Sequence, residues 1–174
     1  SRLLTLDSHL DTPANFPRPD FDLLAAHPGN ALSQVDLPRM QAGALDGGFW
    51  AIYTDQGDRS ARAHLEDRDA GLKRLSQIRE MLAAHPRQFA EATTPADAAR
   101  IKAQGKRVVY ISMENASPLA ADPTLLSFYY GQGLRLMSTV HFINNEFAES
   151  ATDPKGPEWH GLSPAGRQLV QSAQ

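Results

Sequence analysis

The alternation of short apolar segments with helical patterns is the feature that most constrains the fold of this chain. Residues 47–53 (GGFWAIY) carry no charge, which is typical of a strand buried on both faces. Residues 60–84 then place leucines and an isoleucine on one helical face, and Pro86 marks the end of this helix. Further strands are predicted at residues 3–6, 107–112 and 134–140. Because helical crossovers join parallel strands, this order predicts a parallel α/β sheet.

Residues that favour helix starts predict three more helices. A helix at residues 95–103 has Thr94 as its candidate N-cap, and a helix at residues 122–130 has Asp122 in that role. A last helix is expected to begin after Ser163, which precedes a proline. The roughly 35 residues before the second strand are rich in Pro, Asp and Gly, and predict an irregular loop with short turns.

The number of strand–helix units indicates part of a barrel. About four such units make half of a (β/α)8 TIM-type barrel, whose usual size is about 250 residues. An isolated half barrel would expose two strand edges, which favours pairing with further strands. We therefore expect residues 1–174 to be a single domain, part of a (β/α)8 barrel that continues in a longer chain or is completed by a second polypeptide. A small open α/β sheet is the alternative.

The composition excludes several classes of function. The formal net charge is −3, and the 17 basic residues are interspersed with 20 acidic ones, so no basic surface for nucleic acid is expected. No apolar run reaches the roughly 18 residues that a membrane-spanning helix needs. The chain contains no cysteine, so any metal must be held by histidine, aspartate or glutamate.

Candidate site residues follow the predicted strands, at the edge where parallel α/β proteins place their sites. His9 and Asp11 follow the first strand, and residues two apart on an extended chain point the same way, so both could bind one zinc ion. Glu114 follows the third strand, and a buried carboxylate there needs a cation as partner. His141 follows the fourth. Structural explanations stay open at this point, namely a polar turn at residues 7–11, a cap at Glu114 and a hydrogen-bonded core histidine at His141.

Five motifs in order along the chain resemble those of a known enzyme family. They are DSHLDTP, VDLPRMQAG with GGFWAIYT, SMENA, GLRLMSTVHFINN and GLSPAGR. The series resembles the membrane dipeptidase family, also called renal dipeptidase-like or M19 metallopeptidases. It covers essentially the whole chain but only the amino-terminal half of the family's usual length. The segment FINNEFAES is closer to the bacterial branch than to the animal enzymes.

The resemblance implies the amino-terminal part of a (β/α)8 barrel and zinc-dependent hydrolysis of dipeptides by a hydroxide that bridges two Zn2+ ions. His9 and Asp11 would bind the first zinc ion, Glu114 would bridge both, and His141 would contact the substrate and its tetrahedral intermediate. The family's other two histidine ligands lie on later strands, so this chain alone would be incomplete.

The resemblance also implies partners and a location. The remaining barrel half would come from the same gene or a second chain, and a homodimer would fit. The sequence does not fix the compartment; the chain, soluble as given, would fit the periplasm or cell envelope. Two other functions remain as alternatives. One is a non-catalytic or metal-deficient barrel module, and the other is another metal-dependent amidohydrolase-type barrel enzyme.

Overall fold

A computed structural model describes residues 3–27, 29 and 33–174 of the chain. Within these residues the strands are β1 (Leu6–Leu10), β2 (Gly47–Tyr53), β3 (Phe89–Glu91), β4 (Arg107–Glu114) and β5 (Leu134–Met137). The α-helices are α1 (Leu37–Ala42), α2 (Ala61–Ala84), α3 (Pro95–Ala103), α4 (Leu125–Gly131) and α5 (Pro164–Ser172). Among the described helices, none combines the length and apolar character needed to cross a membrane.

The chain divides into two compact units. The first unit is Ser1–Ile52 with Arg74–Ser112, and the second is Tyr53–Lys73 with Met113–Gln174. Strand β4 belongs to both, because its last two residues, Met113 and Glu114, are part of the second unit.

The first unit contains a parallel sheet in the order β1-β2-β4-β3. Strand β1 runs parallel to β2, with Leu10 opposite Trp50, and β3 runs parallel to β4. Strands β2 and β4 begin side by side, since the Val108 N–H donates to the Asp46 carbonyl (2.8 Å). The carboxyl ends of β1 and β2 therefore lie at one edge of the sheet, and the parallel pairs confirm the predicted parallel α/β fold.

Close packing of β2 against β4 explains why β2 begins with glycine. A Cβ atom on Gly47 would lie 2.1 Å from the Val108 carbonyl oxygen, so no side chain fits there. Further along β2, the Trp50 side chain is fully buried, and its ring stacks on Phe16 (6.0 Å between centroids) and meets the edge of Phe89 (5.7 Å). These contacts fix the strand whose end adjoins the candidate site.

In the second unit, the end of β4 pairs with β5. The Ser138 N–H donates to the Met113 carbonyl (3.0 Å), and the Ala116 N–H donates to the Thr139 carbonyl (3.3 Å). The carboxyl ends of β4 and β5 therefore lie side by side. The long loop that follows β5 ends at Ser163, whose hydroxyl caps α5 by accepting from the Gly166 N–H (2.9 Å), as predicted.

Several predicted elements are confirmed with their bounds, and others are corrected. Strand β2 and helix α3 have the predicted residues, α2 begins one residue later, and β4 extends to Glu114. The first strand is Leu6–Leu10 rather than residues 3–6, because its pairing with β2 starts at Leu6 and includes the polar residues. Residues 28 and 30–32 of the predicted loop lie outside the described residues, as do Ser1 and Arg2.

Further corrections concern helices α4 and α1 and strands β5 and β3. Helix α4 starts at Leu125, because the Asp122 carboxylate accepts from the Thr124 N–H (3.0 Å) in a turn and does not cap the helix. Strand β5 ends at Met137 instead of residue 140. The irregular loop contains the six-residue helix α1, whose cap Asp36 accepts from the Arg39 N–H (2.9 Å), and the three-residue β3 was not predicted.

Candidate metal and substrate site

His9 and Asp11 lie next to each other at the carboxyl end of β1. The His9 Nε2 atom is 3.1 Å from Asp11 Oδ1, and the two side chains are 43% and 61% exposed. The His9 N–H donates to Asp7 Oδ1 (2.9 Å), which holds the backbone of the strand end. An imidazole nitrogen and a carboxylate oxygen, both of which zinc accepts as ligands, are thus adjacent and open to solvent.

Asp11 also begins a turn, as in the alternative interpretation of residues 7–11 as a polar turn. Its carbonyl accepts from the Ala14 N–H (2.9 Å), and the chain continues into a 3-10 helix at Thr12–Asn15. The backbone of Asp11 therefore makes the turn while its carboxylate stays beside His9, so the two sequence interpretations are compatible.

A cleft of about 390 Å³ opens beside this pair within the first unit. Its lining is mostly polar, and consists of Asp7, His9, Leu10, Asp11, Thr12, Asn15, Ser33, Gln34 and Val35. The two candidate ligands thus face a space that can admit a small polar molecule.

Glu114 and His141 form a second pair in the second unit. Glu114 is the last residue of β4 and is only 6% exposed, and its Oε1 atom forms an ion pair with the His141 Nδ1 atom. His141 lies in the loop after β5 instead of directly at the strand end, and its side chain is 38% exposed. A buried carboxylate beside a partly exposed imidazole is an arrangement that functional sites use and that a solvated loop does not need.

Asn115 gives the chain the sharp turn that follows Glu114. Its φ of 60° lies in the left-handed region, and its side chain is fully buried. The Asn115 amide donates to the Thr54 carbonyl (3.2 Å), and its oxygen accepts from the Ser117 N–H (2.8 Å). Asparagine tolerates this conformation better than other non-glycine residues, so Asn115 both turns the chain and holds the strand end.

Replacing Asn115 should therefore lower stability in a graded way. Asn115→Gly keeps the backbone conformation but loses the amide hydrogen bonds, each worth about 0.5–1.5 kcal/mol. Asn115→Ala loses the same bonds and adds about 1–2 kcal/mol of left-handed strain. We expect the free energy of unfolding, measured by urea denaturation, to fall in the order wild type, glycine variant, alanine variant. Equal losses in the two variants would contradict this role of the backbone conformation.

Side chains from three other positions hold the backbone around His141. Gln56 bonds to the main chain of the two residues after His141. Its Oε1 atom accepts from the N–H groups of Phe142 and Ile143, and its Nε2 atom donates to the Ile143 carbonyl (3.3 Å). The Ser150 hydroxyl donates to the His141 carbonyl. Asn145 donates from its amide to the Thr139 carbonyl (2.8 Å). None of these was predicted, because a side chain that bonds to a distant backbone leaves no periodic signal in the sequence.

Charged groups further along the same loop join it to α2. Burial disfavours the charged form of Glu146, but the hydrogen bond from Arg59 (2.7 Å) and the charge of His64 keep the Glu146 pKa below its ordinary value. Burial raises the pKa of Asp67, which lies in the same part of the second unit. These groups stabilise the loop and are not part of the predicted site.

The four predicted site residues thus form two pairs, one in each unit. Imidazole and carboxylate groups near the carboxyl ends of parallel strands are an arrangement that metal-dependent barrel enzymes use. The sequence model of the membrane dipeptidase family, peptidase family M19, matches residues 1–174. The chain belongs to this family, as its motifs predicted.

Named relatives agree with this membership. The chain is 29% identical to dipeptidase ataJ of Aspergillus terreus over 126 residues, which are 70% of this chain and 31% of the relative. It is 26% identical to an uncharacterized dipeptidase of Schizosaccharomyces pombe over 179 aligned positions, covering 95% of this chain and 42% of the relative. The chain therefore spans less than half the length of these relatives.

A solved structure confirms the fold. The probable dipeptidase PvdM from Pseudomonas aeruginosa superposes with a TM-score of 0.86 at 28% identity, over 98% of this chain and 44% of that protein. The chain therefore has the fold of the amino-terminal part of a (β/α)8 barrel, as predicted.

Proposed function

We propose that the complete protein is a zinc-dependent dipeptidase, to which this chain contributes three metal ligands and one substrate-contacting residue. The ligands are His9, Asp11 and Glu114, and the substrate-contacting residue is His141. The observation that carries the proposal is the buried Glu114 carboxylate paired with His141 at the end of β4, in a chain that the dipeptidase family matches throughout.

The residues at both strand ends fit a zinc site by their chemistry. Imidazole nitrogen and carboxylate oxygen are common zinc ligands, and the chain has no cysteine that could compete. Glu114 has two oxygens, so it suits a bridge between two zinc ions, and its charge offsets part of theirs. We propose that the other ligands belong to a part of the protein beyond these residues, in line with the share of its relatives that the chain spans.

The metal ions and the protein side chains have separate tasks in this proposal. Zinc held by His9, Asp11 and Glu114 would supply a hydroxide nucleophile and would polarise the scissile carbonyl. His141 donates a hydrogen bond to the oxygen on which charge develops in the transition state. Because its Nδ1 atom contacts Glu114, its Nε2 atom is the one available for the substrate. Ser150 fixes the backbone of His141, so the ring is held in position before the substrate binds.

The proposal also covers the rest of the barrel, the oligomeric state, the location and the substrate class. We propose that residues 1–174 form one domain with the rest of the barrel, supplied by the same gene or a second chain. By family resemblance, a homodimer and a location in the periplasm or cell envelope are proposed as well. The relatives are named for dipeptide hydrolysis, so dipeptides are the substrate class to test first.

Removing the metal should abolish the activity reversibly. Dialysis of the complete protein against a chelator is expected to reduce dipeptide hydrolysis to background, and added zinc should restore it. The reason is that the proposed site contains no cysteine or serine that could act as the nucleophile without the metal. The measurement is the rate of dipeptide hydrolysis before chelation, after chelation and after zinc addition. Full activity after complete metal removal would contradict the proposal.

A further inference from the structure

Phe142 is a large apolar side chain that is held out toward solvent beside His141. It is 59% exposed, and its ring centroid lies 3.8 Å from that of His141. A single exposed apolar side chain is ordinary on a protein surface, so the feature that sets Phe142 apart is its contact with the His141 ring.

The backbone on both sides of Phe142 is fixed by side chains. The Phe142 N–H donates to Gln56 Oε1, and the Phe142 carbonyl accepts from the Thr152 hydroxyl (2.8 Å). The Ser150 hydroxyl binds the preceding carbonyl, and Gln56 also bonds to both backbone groups of Ile143. Three polar side chains therefore fix three consecutive residues whose central member is exposed and apolar. These contacts hold the backbone that carries the ring in one conformation.

We propose that Phe142 is a specificity-determining residue that contacts an apolar side chain of the dipeptide. Binding sites usually combine a few polar groups with apolar walls, and the predicted ligands and His141 supply only polar groups. The ring adjoins His141, which is proposed to contact the reacting carbonyl, so a neighbouring side chain of the same small substrate comes within its reach. This inference rests on the proposed dipeptidase function.

The test compares matched substrates on variants of the complete protein. The substrates are Gly-Leu against Gly-Ser, and Leu-Gly against Ser-Gly, so that each position is varied separately. For Phe142→Ala we expect kcat/KM for a leucine substrate to fall about tenfold, mainly through KM, while the matched serine substrate changes by less than about twofold. Phe142→Leu keeps an apolar side chain and should keep the leucine preference.

The control variant is Phe128→Ala, which removes another exposed phenylalanine of the same unit (45% exposed) and should leave both rates unchanged. Equal losses for leucine and serine substrates in Phe142→Ala, or an unchanged leucine preference, would overturn the inference while the dipeptidase function stands. A wild-type protein that hydrolyses none of the four dipeptides would contradict the proposed function itself, and the inference with it.

Discussion

Replacing Glu114 with glutamine in the complete protein is expected to abolish dipeptide hydrolysis. Glu114 is buried, and its Oε1 atom is in direct contact with the His141 Nδ1 atom. Glutamine keeps the size of the side chain but removes the carboxylate, so it cannot serve as the proposed bridge between two zinc ions, and the supply of a metal-activated hydroxide should be lost. The measurement is kcat/KM for a dipeptide that the wild-type protein hydrolyses.

A matched control is available on another strand. Glu91 is the last residue of β3 and forms an ion pair with Arg79 (3.3 Å), so Glu91→Gln also neutralises a strand-end glutamate with a cationic partner. The Glu91 variant should keep wild-type kcat/KM, because Glu91 is not among the proposed site residues. Full activity in Glu114→Gln, or equal losses in both variants, would contradict the role of Glu114.

Replacing His141 with alanine should lower kcat strongly without removing the metal. Losing a donor to a developing oxyanion typically costs about 10²–10³ in kcat. His141 is proposed to contact the substrate and is not a proposed ligand, so the zinc content should stay at the wild-type value. The measurements are kcat, KM and zinc content of the same preparation.

The control for this variant is His85→Ala, which removes the histidine that directly follows α2 and should leave kcat unchanged. Zinc content that fell together with kcat in His141→Ala would contradict a role confined to the substrate. A kcat within about threefold of wild type would contradict the proposed contact with the oxyanion.

The elements that could be predicted are those with a long and uniform pattern. Strand β2 is apolar over seven residues, and helix α2 buries Leu75, Ile78 and Met81 along one face, so burial leaves a clear signal in both. Strand β1 was misplaced because four of its five residues are exposed, and only its pairing with β2 makes it a strand. Helix α1 and strand β3 are too short for any period to show.

The candidate site was predictable to the extent that it depends on strand ends. A histidine–aspartate pair after one strand and a glutamate after another are visible in the sequence, and the structure pairs His9 with Asp11 and Glu114 with His141. The contacts that hold these residues in place could not be predicted from the sequence. Gln56 reaches the backbone of Phe142 across 86 positions, and the left-handed turn at Asn115 depends on buried hydrogen bonds. Such contacts follow from the fold and not from local sequence.

Zinc content, measured by mass spectrometry on the complete protein, tests the central claim most directly. With Glu114 as a bridging ligand, the wild-type protein and Glu91→Gln should each hold about two zinc ions per chain, and Glu114→Gln should hold clearly fewer. A wild-type protein without stoichiometric zinc, or a Glu114→Gln variant that keeps the full wild-type content, would contradict the assignment of His9, Asp11 and Glu114 to a zinc centre.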